Sequence, residues 1–268
     1  KVEAYGYEPT RMKGNLDKYR PENNGYGHGT HVAGIISSLY SELGENIENP
    51  QIKIKPYKVF PLARKCDIIR AMADAANDNR IRVINNSWGP PRRRTKSPAL
   101  DCVIEYIEAE RKDLSIVFSA GNSNDDIAFY VPGKFKNVIT VGAVNNAGKK
   151  AYFSNYGEGV DIYAPGQYIW SLKAGELTEK GKIEYKELIK HDSGTSMGAP
   201  FVSTVIAMIY SRYGESWNTE QIKNILKETG EEFEIRRGKF IEAANLLDAE
   251  KALSEAKQAL EKAEKRQV

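Results

Sequence analysis

An α/β domain with a mostly parallel central sheet and helices on both faces is predicted by three features of this 268-residue sequence. Short apolar runs that end in small or polar residues recur at 82–87, 114–120 and 138–143 and read as buried strands. The first two are each preceded by a helical pattern, at 66–79 and 98–112. Glycines follow directly where strands end, at Gly89 and Gly121. Helices alternating with buried strands imply a parallel sheet covered on both sides, so functional groups belong beyond the carboxyl ends of the strands.

Each element has its own signal. The first helical pattern rests on Ile68, Ile69, Met72 and Ala76, and the second on Cys102, Val103, Tyr106 and Ile107, spaced to share one face. A longer helix is expected from near Ser196 to about Tyr213. It contains the longest hydrophobic stretch, Phe201 to Tyr210, which is interrupted by Ser203 and Thr204 and fits a buried helix better than a membrane span. Pro200 is expected to fall in its first turn, where no N–H is needed. Asn218-Thr219-Glu220-Gln221 carries the signature of a capped helix start. From Asp248 onward, Ala249, Ala252, Ala256, Ala259 and Ala263 form a thin apolar stripe. Residues 1–252 are thus expected to form one domain, with 253–268 a charged helical extension. That helix packs on its own domain, links to something further, or forms a weak dimer.

Composition narrows the function. A net charge of +3 is too small for a general nucleic-acid binder. Arg92-Arg93-Arg94 with Lys96 is a local basic cluster, read as a solvated loop or as a contact for an acidic partner. No membrane span is expected, and the first residues lack the layout of an export leader. Cys66 and Cys102 lack metal-ligand spacing and are read as buried free thiols or as one disulfide.

Three motifs carry chemistry. Ser193-Gly194-Thr195-Ser196-Met197-Gly198-Ala199-Pro200 places a serine among small residues at a helix start, where the helix dipole favours developing negative charge. His28-Gly29-Thr30-His31-Val32-Ala33-Gly34-Ile35 puts a histidine at the mouth of an apolar helix, where it can act as a general base. Ser119-Ala120-Gly121-Asn122 ends a strand with a side-chain amide that can meet an oxyanion. These segments resemble the histidine, oxyanion and serine signatures of the subtilisin-like (S8) serine proteases. The resemblance covers about residues 20 to 252 and implies a three-layer subtilisin-like fold that hydrolyses peptide bonds. It gives Ser196 the nucleophile's role, His28 the base's and Asn122 the oxyanion donor's, and leaves His31 to hold the helix start.

Other pieces match the same family. Asn86-Ser87-Trp88-Gly89 resembles the strand edge that pairs with extended substrate, so Ser87, Trp88 and Gly89, with Ser119, Ala120 and Gly121, are expected to bind it. Val131-Pro132-Gly133-Lys134 and the strand from Asn137 resemble the primary specificity pocket. Tyr130, where many relatives have a small residue, would make that pocket shallow. Ser154-Asn155-Tyr156-Gly157 and Ala164-Pro165-Gly166 match family turns. No metal ligands are proposed: relatives often carry a calcium loop in the histidine helix, and Ser37–Leu43 shows no such insertion, so a structural calcium ion is not supported by the sequence.

One part is not found. Relatives place an aspartate about thirty residues before the histidine, at the end of an apolar strand, but only 27 residues precede His28 here. Asp17, the sole aspartate among them, has no strand before it and no glycine after it. Asp192 stands on the leaving-group side of the cleft by family pattern and is expected to meet substrate. The reading is therefore a serine endopeptidase acting on polypeptides, with the orienting aspartate on a segment upstream of Lys1. A pseudoprotease that binds polypeptides and a peptide cyclase or transacylase are the alternatives. Secretion follows from the resemblance, with an intracellular location as the alternative.

Overall fold

The computed structural model describes residues 27–44, 51–57, 59, 65–89, 98–130, 135, 138–177, 183–214 and 217–265. In chain order the elements are α1 (His28–Glu42), α2 (Lys65–Asn77), β1 (Val83–Asn86), α3 (Pro98–Glu110), β2 (Ser115–Ser119), β3 (Val138–Val144), β4 (Ile162–Pro165) and β5 (Ile169–Leu172). There follow β6 (Glu176–Leu177), β7 (Ile183–Glu184), β8 (Ile189–Asp192), α4 (Thr195–Tyr213), α5 (Thr219–Thr229), β9 (Glu231–Arg237), β10 (Phe240–Leu246) and α6 (Ala249–Lys265). Among the described residues, six strands form one sheet in the order β1-β2-β3-β4-β10-β9. All its pairings are parallel except that of β9 with β10. Two small antiparallel hairpins, β5–β8 and β6–β7, stand apart from it.

Strand alternation sorts the core into two layers. Ile116 and Phe118 of β2 and Val138 of β3 pack with Met72 and Ala76 of α2 and with Ile104 and Ile107 of α3. The residues between them, Val117, Ile139 and Val141, face the opposite way into a cluster with α4, α5 and α6. The α4 helix is apolar around its circumference because it is buried on every side: Val202, Val205, Ile206, Met208 and Ile209 are all 0 % exposed. At about 1.5–3 kcal/mol per buried side chain, it is the largest single contributor to the core. This layer fixes the start of α4, and hence Ser196, against the ends of β1 to β3.

Several expectations meet the structure at finer detail. The helix expected at 66–79 ends at Asn77, where the Asp78 carboxylate reaches forward to accept from the backbone N–H and guanidinium of Arg80. The α5 start is a full capping box, Asn218 accepting from Gln221 N–H while the Gln221 side chain accepts from Asn218 N–H. In α6, Ala252, Leu253 and Ala256 are buried against the α4–α5 cluster, so 253–265 continue an element that begins at Ala249. Cys66 and Cys102 are both free and exposed, neither buried nor bridged. Each sits near a helix start with its side chain turned to solvent. The Arg92–Arg94 cluster, Lys96 and Asp17 lie outside the described residues.

One charged cluster ties the sheet to α5. Asp161, with its side chain 9 % exposed, lies 3.0 Å from Lys223 Nζ and 2.9 Å from Lys227 Nζ. It also accepts from Thr140 N–H. Replacing Asp161 with alanine would remove the carboxylate from a mostly buried Lys223, which keeps its bond to Val138 O, and would leave the Thr140 N–H without its acceptor. The expected loss is about 3–5 kcal/mol in chemical denaturation; a loss under about 1 kcal/mol would show that solvent already screens the pair.

Candidate active site

The helix α1 begins at His28, immediately after Gly27, whose φ of +84° suits glycine. It packs through Val32 and Ile35 onto Met197, the residue after Ser196, which brings the starts of α1 and α4 together. The β5–β8 hairpin braces it from outside. Ser171 Oγ donates to His31 O at 2.6 Å, and His31 Nε2 lies 3.2 Å from Lys190 O. His31 is fully buried and therefore holds the hairpin to the helix, while His28 is only half-buried.

Ser196 is the second residue of α4, so its own N–H has no acceptor within the helix. Its hydroxyl donates to Ser87 O at 3.1 Å, and Ser87 Oγ donates back to Ser196 O at 2.8 Å. The second bond has a covalent cause. Pro200 is the sixth residue of α4 rather than part of its first turn, and it lacks the N–H that would bond the carbonyl four residues earlier. That carbonyl belongs to Ser196, and Ser87 satisfies it. Ser196 is thus pinned to the end of β1 because the proline of its own motif leaves its carbonyl free for Ser87.

Asn122 follows β2 and is exposed. Its Oδ1 accepts from Thr195 N–H and from Thr195 Oγ1, both at 2.9 Å, and Thr195 Oγ1 in turn accepts from Gly121 N–H at 3.0 Å. With Oδ1 engaged twice, the amide orientation is fixed and Nδ2 is presented beside Gly194. Thr195, one residue before Ser196, was legible in the motif only as a small residue. Its hydrogen bonds depend on the loop after β2, which no local pattern reveals.

The remaining site residues cluster around these. Ser119 Oγ donates to Trp88 O at 3.5 Å, and the Trp88 ring meets Phe118 edge-on at 5.2 Å. Gly89 is exposed, and Ala120 is buried at the end of β2. Tyr130 is packed behind Ala120 and Ile127, its hydroxyl donating to the Asp125 carboxylate at 3.4 Å. The pocket wall expected at Val131–Lys134, and Asn137, lie outside the described residues.

Burial holds the His28 pKa below 6.5, reinforced by His31 and Lys190 and opposed by the carboxylate of Asp192. Only neutral imidazole can accept a proton. Reaction of Ser196 is therefore expected to fall as pH drops, with a midpoint below 6.5 in this chain. Asp192→Asn removes the charge that favours imidazolium, so the midpoint should move lower still in a pH–rate profile. A move upward would mean that Asp192 does not act on His28.

A cavity of about 730 Å3 opens beside His28. It runs between β1 and segment 51–57, roofed by α1 and α4 through residues such as Val32 and Ala207, and floored by Met72 and Ala75 of α2. β1 is the terminal strand of the sheet among the described residues, so the edge facing this cavity has no partner strand there. Asn86 and Tyr57 line it, and among the described residues buried Asn86 Nδ2 has no hydrogen-bond partner.

Comparison with known proteins gives the family. The peptidase S8 (subtilase family) model matches residues 7–258, and the chain belongs to the subtilase family. It is 32% identical to M-protease of Shouchella clausii over 77% of this chain, which spans about half of that protein (50%). It is also 32% identical to Subtilisin Savinase of Lederbergia lenta, covering 77% of this chain and 71% of that one. Among solved structures, a cold-adapted subtilisin-like serine proteinase superposes with a TM-score of 0.65 at 26% identity, over 84% of this chain and 75% of that one. A protease from Pseudoalteromonas arctica gives 0.67 at 26%, over 85% and 70%.

Proposed function

We propose that this chain is a serine endopeptidase whose Ser196 forms an acyl-enzyme with polypeptide substrates. The observation that carries the reading is the hold of Thr195 on Asn122 Oδ1, which presents Nδ2 beside Gly194, two residues before Ser196. Ser196 Oγ turns from Ser87 O toward His28 and attacks the peptide carbonyl. His28 takes the hydroxyl proton and returns it to the leaving amine. The oxyanion accepts from the Ser196 N–H, free at the helix start, and from Asn122 Nδ2. Water then repeats the sequence on the acyl-enzyme. Ser87 to Gly89, with Ser119 to Gly121, offer backbone for an extended substrate.

The imidazole needs an acid to hold its orientation and tautomer, and the reading places it on a segment upstream of Lys1. The cavity beside His28 supports this. Its strand edge and its Asn86 amide, both without partners among the described residues, and its apolar walls suit an added strand, because a buried edge and a buried amide both demand hydrogen-bond partners.

Labelling with a fluorophosphonate tests the whole reading, with the chain made alone and with its upstream segment, and Ser196→Ala as control. Strong labelling that needs both Ser196 and the segment is expected. No labelling in either preparation would leave a protein that binds polypeptides without cutting them.

A further inference from the structure

We infer that Asn155 is a positioning residue that sets where the oxyanion donor sits, acting through the backbone on either side of Asn122. The inference rests on the role proposed for Asn122. Asn155 is fully buried and lies in the turn after β3, far from Asn122 in sequence. Its Nδ2 donates to Ala120 O at 2.8 Å, while its Oδ1 accepts from Ser123 N–H at 3.0 Å and Asp125 N–H at 3.1 Å. Its backbone N–H donates to Gly121 O at 3.0 Å. These four bonds fall on residues 120, 121, 123 and 125, bracketing Asn122 without touching it.

The chemistry of the contacts fixes the amide. A carbonyl on one side and two N–H groups on the other can be satisfied in only one orientation, so the side chain is a template for the loop. The loop accepts that template at a conformational cost. Gly121 has φ +99°, and a Cβ there would stand 2.6 Å from Asn155 Nδ2, so only glycine allows this approach. Asn124 is held at φ +49°. Lys150 adds a second tether, its Nζ donating to Asn124 Oδ1 at 2.9 Å and to Ser154 O at 2.8 Å. Thr195 fixes the Asn122 side chain from α4, and Asn155 fixes its backbone from the β3 side. Displacement of either support moves Nδ2 relative to the developing oxyanion, and oxyanion stabilisation depends on donors placed in advance.

The test is a double-mutant cycle on the chain with its upstream segment, measuring kcat, KM and Tm. Asn155→Ala and Asn155→Asp are made in the parent and in Asn122→Ala; Lys150→Met, at a half-buried position, is included in case the Asn155 variants do not fold. In the parent, Asn155→Ala and Asn155→Asp are expected to lower kcat about tenfold or more, and Lys150→Met about threefold, with KM little changed. In Asn122→Ala each loss should shrink to within about twofold, because the donor they position is gone, while the change in Tm stays the same in both backgrounds. Equal kcat losses in both backgrounds, or none in the parent, would overturn the inference and leave Asn155 as packing alone. An Asn122→Ala protein as active as its parent would overturn both this inference and the role proposed for Asn122.

Discussion

A strand that brings an aspartate to the His28 end of the cavity is expected to raise Ser196-dependent hydrolysis about 10⁴-fold over the same strand carrying asparagine. That magnitude derives in part from subtilisin itself and is carried over to this chain rather than derived from it. The physical reason is local. Burial disfavours imidazolium at His28, and the carboxylate that opposes this, Asp192, is largely engaged by Lys190 Nζ at 3.2 Å and by Ser193 N–H. A carboxylate arriving on the cavity side would hold the ring's orientation and stabilise the charge it gains. It would also raise the His28 pKa, moving the acidic limb of the rate profile upward. The comparison is made on kcat/KM for one peptide substrate, with hydrogen exchange at the Val83–Asn86 amides reporting whether each strand is seated. Equal rates from two strands that both protect β1 would remove the carboxylate from the mechanism.

What the sequence reveals here follows from the range of each signal. The three motifs are contiguous, so candidates for the nucleophile, base and oxyanion donor could be proposed from residues alone, and the apolar run at 114–120 foretold the buried strand β2, whose Ile116 and Phe118 face one layer and Val117 the other. The capping box at Asn218 is equally local. Features that depend on distant residues were not legible. Ser87 looked like part of a substrate-binding edge, and its bond to the Ser196 carbonyl emerges only when β1 and α4 are side by side. Asn155 read as a turn residue, since nothing in its neighbourhood indicates that its partners lie at 120–125. Exposure of Cys66 and Cys102 was misjudged for a related reason: on an amphipathic helix a cysteine is compatible with either face, and the neighbouring layer decides.

Asn122→Ala should lower kcat about 10²–10³-fold with little change in KM, again a loss carried over from subtilisin, because the donor acts on charge that exists only in the transition state. The hydrogen bonds around it predict a graded series. Thr195→Val keeps the N–H that binds Asn122 Oδ1 and removes the hydroxyl that both binds Oδ1 and accepts from Gly121 N–H. One of two anchors is lost and a loop N–H is left bare, so an intermediate fall of about tenfold is expected, equivalent to roughly 1.4 kcal/mol. On the proposed mechanism the Ser196 N–H still donates to the oxyanion in both variants, which is why neither should reduce the rate to that of Ser196→Ala. If Thr195→Val matched Asn122→Ala in kcat, the hydroxyl would be the sole anchor of the amide. If it had no effect, the backbone N–H at 2.9 Å would suffice to hold the donor. In either case the rank order of the three variants reads out how firmly the start of α4 aims the Asn122 amide proposed to meet the oxyanion.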